Sequence, residues 1–265
     1  MRRPTLIVAV AVAVSVLITA CTVSTGPAHR AARPARIVAV GPAAPVAGAC
    51  ARPRFVSTAR FATWADSGYV VANDMWNVGK YQVRQALSAC SYRNWYVTAT
   101  MDNDDHANVV KSYPNVYRAF PAIPVDAYHA IVATYAHASP DQGIYEDTFD
   151  IWFNGVAQWW ATEIMIWTDN HGQIPPGSIL ARVTLDGQGY VVWKSRGPGG
   201  TISFVAVRNS AQGIVNLLSF FGWVIARHWM RAQAQLRQVA YGVELVSTDG
   251  LPKTFAIRNF WVAAT

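Results

Sequence analysis

Thr162-Glu163-Ile164-Met165-Ile166-Trp167-Thr168 is a run of β-branched, aromatic and long apolar side chains interrupted by a single acid. Its composition predicts a strand, and the period of two sends Glu163, Met165 and Trp167 to one face and Ile164 and Ile166 to the other. The isoleucines can fill a core between sheets. The opposite face then sets a carboxylate, a thioether and an indole side by side. A pyranose has apolar C–H faces that stack on indole and hydroxyls that need acceptors, so this mixed strip suits a saccharide.

A second stretch repeats the pattern. Tyr241-Gly242-Val243-Glu244-Leu245-Val246 places Glu244 opposite Val243 and Leu245, with Gly242 beside it on the same face. Phe149-Asp150-Ile151-Trp152 adds a third acid and another indole in the same alternation. The chain has only three glutamates, Glu146, Glu163 and Glu244, and the last two sit inside strongly apolar runs. A buried carboxylate is costly unless hydrogen-bonded or put to use, and a like-charged neighbour raises the pKa of one of the pair. One ionised and one protonated carboxyl are the two states that double-displacement cleavage of a glycosidic bond needs. Spacing alone is equally compatible with acids on a solvated or ion-paired face.

Outward from these strands, short apolar and aromatic runs recur between Gly, Pro, Asn and Asp, the pattern of many antiparallel strands. Examples are Tyr69 to Ala72, Trp95 to Ala99, Tyr128 to Tyr135, Gly189 to Lys194, Ile202 to Val207, Arg237 to Val246 and Thr254 to Val262. One helix is predicted, from an N-cap at Ser210 through Ile214, Leu217, Leu218 and Phe221 to a stop at Gly222. One helix among a dozen or so strands predicts an all-β sandwich. There is no internal repeat, no dinucleotide- or phosphate-binding glycine pattern, and no second linker dividing residues 50–265. Trp64, Trp95, Trp193 and Trp261 are expected in the core, whereas Trp159-Trp160 suits either packing or a sugar platform.

At the other end, Met1-Arg2-Arg3 and the apolar run Leu6 to Ala20 have the charged and hydrophobic regions of an export signal, too short to span a bilayer. Ile18-Thr19-Ala20-Cys21 resembles the bacterial lipobox, which implies cleavage before Cys21 and lipidation there; an ordinary cleavable signal is the other reading. Residues 22–49, with nine Ala and four Pro, cannot bury enough to offset ordering and read as a tether. The expected organisation is therefore signal 1–20, tether 21–49 and one domain over 50–265. With Cys21 set aside, Cys50 and Cys90 form an even pair in an oxidising compartment, best read as a disulfide.

Composition narrows the function. At 52% hydrophobic and 14% charged, the chain is not a disordered one. The formal charge of +7 comes from cations scattered singly, apart from Arg30 to Arg36, which argues against nucleic acid. Taking Arg2 and Arg3 away with the signal leaves 20 basic against 15 acidic residues and weakens that case further. Asp102-Asn103-Asp104-Asp105-His106 lacks the glycine and the terminal glutamate of a calcium loop and reads as solvated. His129 and His137 have no third ligand nearby in sequence, so no zinc site is expected, and no serine-hydrolase elbow exists.

Several segments, in order, resemble glycoside hydrolase family 12, the small secreted endoglucanases and xyloglucan hydrolases. Glu163-Ile164-Met165-Ile166-Trp167 is similar to that family's nucleophile strand, and Asn73-Asp74-Met75-Trp76-Asn77 to its early sugar-binding strand. Lys111-Ser112-Tyr113-Pro114-Asn115, Phe149-Asp150-Ile151-Trp152, Pro176-Gly177 and Gly242-Val243-Glu244 follow in the family's order. The resemblance implies a jelly roll of two antiparallel sheets, the inner one curved into an open cleft. It implies Glu163 as nucleophile, Glu244 as acid/base and Asp150 as support for the nucleophile. Trp76, Met165 and Trp167 would line the cleft and Asn73 would contact sugar hydroxyls. It implies a retaining endo-β-1,4-glucanase acting on cellulose-like, mixed-linkage or xyloglucan chains, without cofactor or metal. The expected partner is the polysaccharide itself, for a monomer that meets a membrane only through Cys21. Asp74 and Asn77 depart from the family's usual residues beside Trp76, Phe149 stands where Tyr is common, and the Cys50 to Cys90 spacing is wider than usual. A lectin-like jelly roll that binds without cutting, and a structural envelope protein with an aromatic face, are the other function classes. Two buried acids favour the enzyme, since a lectin gains nothing from them.

Overall fold

A computed structural model describes residues 48–154, 162–196 and 200–265. The signal, nearly all of the tether, Cys21 and Trp159-Trp160 lie outside these residues. In chain order the strands are β1 (Phe55–Ser57), β2 (Thr63–Asp66), β3 (Tyr69–Ala72), β4 (Arg84–Ser91) and β5 (Asn94–Thr100). There follow β6 (Asn115–Pro124), β7 (Ile131–Ala138), β8 (Ile144–Asn154), β9 (Glu163–His171), β10 (Ser178–Leu185) and β11 (Gln188–Lys194). β12 (Thr201–Ala206), β13 (Gln212–Asn216), the helix α1 (Leu217–Ile225), β14 (Gln235–Ser247) and β15 (Lys253–Ala264) complete the order.

The strands form two sheets, as the all-β sandwich expectation requires. The smaller runs β1-β4-β5-β15-β7-β13 and the larger β10-β11-β12-β9-β8-β14-β6-β3-β2. All pairs are antiparallel except β9 with β12. That parallel pair arises because the chain leaves β9, makes the β10–β11 hairpin at the sheet edge, and returns along β12. Among the named strands it is the one parallel pairing.

The core lies between the sheets and follows the alternation read from the sequence. Ile164 and Ile166 of β9, Phe149 and Ile151 of β8, and Val243 and Leu245 of β14 are fully buried in it. Trp95 is buried, and Trp64 and Trp261 pack against the same core. Trp193 differs: its neighbour Val192 takes the core side, so Trp193 is half-buried on the opposite face, cross-strand from Ser203.

The predicted helix is half right. Gln212 to Asn216 is a strand paired with β7, in which Ile214 is 51% exposed and Val215 buried, so the period there is two. The Ser210 hydroxyl donates to the Gln212 carbonyl and caps nothing. The helix begins at Leu217 and runs through Gly222 to Ile225. Asp186 satisfies its start from outside, accepting from the Asn216 N–H at 3.1 Å and the Ser219 hydroxyl at 3.0 Å. Phe220 and Phe221 of this helix meet Phe204 and Phe153 edge-to-face, closing one end of the core.

Cys50 and Cys90 are joined, tying the segment before β1 to β4. In the acidic loop at 102–106, Asp105 pairs with Lys80 at 2.9 Å and accepts from the Tyr81 hydroxyl.

Candidate active site

The core-facing alternation of β8, β9 and β14 leaves their other faces lining one cleft of about 570 Å³. Glu163, Met165 and Trp167 reach it from β9, Glu146, Asp150 and Trp152 from β8, and Glu244 and Gln238 from β14. Asp74, Trp76, Tyr113, Asn115 and Pro176 contribute from the flanking segments. Five carboxyls thus share the cleft, and no Lys, Arg or His is among the described residues that line it.

The nucleophile candidate Glu163 is held from both sides. The Thr201 hydroxyl of β12 donates to its Oε2, a consequence of the parallel register that sets Thr201 beside Glu163. On the other side stands Asp150, which is buried and accepts from the Trp152 indole N–H at 3.0 Å. Burial, and next the charge of Glu163, push the Asp150 carboxyl well above the ordinary range. A protonated Asp150 has an O–H to offer the neighbouring Glu163 carboxyl.

Glu244 lies directly opposite Glu146 in the β14–β8 register. Burial raises Glu244 to about 7, the charges of Glu163 and Asp74 add to the rise, and a hydrogen bond from Glu146 opposes it. That value suits a group that must give a proton and take one back near neutral pH.

Gly242 is required by a close approach. A Cβ there would stand 2.2 Å from the Pro114 carbonyl oxygen and 2.7 Å from the Asn115 Cα. The space beside Glu244 is therefore filled by the start of β6, which carries Asn115 into the cleft. Gly177, at φ +99°, likewise lets the turn after Pro176 pass against the Lys194 backbone.

The remaining predicted binding residues divide. Trp76 is 48% exposed at the cleft, and Met165 and Trp167 form its floor. The Trp167 indole N–H is buried and makes no hydrogen bond among the described residues. Asn73 is not at the cleft. It is fully buried, its amide donates to the Ala59 carbonyl at 2.9 Å, and Gln85 donates to its carbonyl oxygens. The positive φ of the next residue breaks the strand alternation, so Asp74 is the one that faces the cleft. Glu146 and Trp152 also line it; Trp152 is visible in the alternation of Phe149 to Trp152, whereas Glu146 has no such signal.

One other group brings metal-ligand side chains together among the described residues: His137, Asp147 and Asp169, between the two sheets. His137 Nε2 lies 3.3 Å from Asp169 and 3.6 Å from Asp147, and its Nδ1 is 2.8 Å from the Tyr241 hydroxyl. Burial alone would lower this imidazole, but the two carboxylates outweigh it and raise it. The two carboxylates thus favour the charged form of the ring that lies between them.

The fold is shared with solved structures. The structure is similar to the xyloglucanase domain of NopAA, a type three effector from Sinorhizobium fredii, solved with cellobiose. The identity is 23%, the TM-score 0.71, and 81% of this chain and 100% of that one are covered. It is similar to the native family 12 xyloglucanase from Bacillus licheniformis, at 19% identity, TM-score 0.70, and 80% and 100% coverage. It is also similar to endoglucanase cel12A from Rhodothermus marinus, at 23% identity, TM-score 0.71, and 80% and 99% coverage. The model of the family described as glycosyl hydrolase family 12 matches residues 67–264, which hold every cleft residue named above, so the chain belongs to glycosyl hydrolase family 12.

Proposed function

We propose that the protein is an exported, retaining endo-acting glycoside hydrolase that cleaves internal β-1,4-glucosidic bonds of cellulose-like, mixed-linkage or xyloglucan chains. The observation that carries this reading is the pairing of Glu163 and Glu244 in one cleft, each with a buried carboxyl partner, among Trp76, Trp152, Met165 and Trp167. In the first step Glu163 attacks the anomeric carbon while Glu244 protonates the departing glycosidic oxygen. The C–O bond to the leaving chain breaks and a glycosyl ester forms on Glu163. In the second step Glu244 takes a proton from water, the water oxygen displaces Glu163, and the β configuration returns. Asp150 holds its proton throughout and steadies the charge on Glu163 before attack and after release. Asp74 takes the sugar-hydroxyl contact expected of Asn73.

Purified protein is expected to release reducing ends from barley β-glucan, xyloglucan or carboxymethylcellulose, and proton NMR at early times should show the β-anomer first. An α-anomer would contradict double displacement. A folded protein inert on all three polymers would leave the lectin-like reading in its place. Export with an anchor at Cys21 predicts that Cys21→Ser moves the protein from the membrane fraction to the medium; retention at the membrane refutes the anchor.

A further inference from the structure

Glu146 belongs to none of the motifs that carry the chemistry above. It is fully buried on β8, opposite Glu244, and lines the same cleft. Among the described residues, neither of its carboxyl oxygens is reached by an N–H or hydroxyl donor, and the group facing it is the Glu244 carboxyl. Two bare carboxylates directly opposite on paired strands repel, and an ionised buried one without a donor bears the full cost of desolvation. Among the described residues, no cationic side chain lines the cleft to relieve it. A single proton resolves the arrangement: one acid becomes the O–H donor and the other its acceptor.

We propose that Glu146 is a positioning residue that stays protonated through the catalytic cycle and donates its O–H to Glu244, holding that carboxylate ready in the glycosyl-enzyme stage. The inference rests on the reading of Glu244 as acid/base. When Glu244 has given its proton to the leaving oxygen, it must persist as an anion in a buried site until water arrives. A donor already aimed at it costs no reorganisation at that moment. The directions of titration agree. Burial, then Glu244, raise Glu146 well above its ordinary range, and the Glu146 hydrogen bond lowers Glu244. The other titratable groups around the pair are Glu163 from β9, Asp150 from β8, Asp74 after β3 and Tyr113 before β6, with Asp147 acting on Glu146 from the opposite face of β8. All of these are acids or a phenol.

The test is the pH dependence of kcat/KM on barley β-glucan, whose alkaline limb reports Glu244 in the free enzyme. Glu146→Leu removes the donor. Its alkaline limb should move up by about one pH unit, and kcat should fall roughly ten- to hundredfold, the loss of one hydrogen bond to a charged group. Glu146→Gln keeps an N–H donor, so its limb should stay in place and kcat fall by less than about tenfold. A downward shift of the limb in Glu146→Gln would mean that Glu146 had been an anion raising Glu244, and would overturn the proposal. So would an unmoved limb in a folded Glu146→Leu. The acid/base reading is judged separately. Glu244→Gln should lose activity on glucan but recover turnover with azide on 2,4-dinitrophenyl β-cellobioside, whose leaving group needs no acid. Full glucan activity in Glu244→Gln would sink that reading itself, whatever the Glu146 variants do.

Discussion

Glu163→Gln is expected to lower kcat on barley β-glucan by on the order of 10³-fold or more, about 4 kcal/mol of barrier. The amide has the shape of the carboxylate but cannot form a displaceable ester, so the first step is lost and the fold is not. The Thr201 hydroxyl that donates to Oε2 can still donate to the amide carbonyl, and Asp150 keeps its donor role. Any azide product of this variant should be the α-glycosyl azide, formed in one inverting step, in contrast to the β-glycosyl azide expected of Glu244→Gln. Reducing-end release and a thermal melt on the same sample decide the matter. A melt like that of the parent with more than about a tenth of its activity, a barrier change of about 1.4 kcal/mol or less, would remove Glu163 from the nucleophile role.

The disulfide sets the second large effect, on stability. Cys50 and Cys90 are separated by 40 positions, and closing a loop of that length in the unfolded chain stabilises the fold by about 4 kcal/mol in the chain-entropy picture. The double variant Cys50→Ser, Cys90→Ser, or reduction of the parent, should lower Tm by roughly 10 °C for a domain of this size. Cys90 lies on β4 of the smaller sheet, away from the cleft strands, so kcat at 25 °C should be retained. Calorimetry with and without reductant measures this. A shift under about 3 °C would show that other contacts of the segment before β1, such as the Arg54 N–H to the Ala89 carbonyl at 2.8 Å, already hold it to β4.

Some strands escaped the sequence for identifiable reasons. β6 contains Pro121 and Pro124, residues that argue against a central strand. β3 pairs only with its first residues, and β14 bulges opposite Pro121, so neither proline has to donate to two neighbours. β13 and the start of α1 share spacings of two, three and four, and the choice between them was made by pairing with β7. β4, Arg84-Gln-Ala-Leu-Ser-Ala-Cys-Ser, has little β propensity of its own and is a strand because β1 and β5 flank it.

By itself, the sequence determined the sandwich and the side chains of β9 and β14 that face the cleft. Alternation in Glu163 to Trp167 and Val243 to Leu245 is a local property of an extended chain, and one wrong step would put isoleucine in the cleft and glutamate in the core. The disulfide was legible for a similar reason, since it follows from a cysteine count. Only the tertiary structure decided that Asp74 rather than Asn73 lines the cleft, because a single left-handed residue reverses the alternation. Only it revealed the part of Glu146. In Tyr145-Glu146-Asp147-Thr148 two successive acids must point to opposite faces, and a lone strand gives no sign that both faces are covered. One acid is buried against Glu244 of the neighbouring strand, the other against His137 of the opposite sheet. Proton sharing and ion pairing are relations between distant segments, so their energies exist only once the sheets have met.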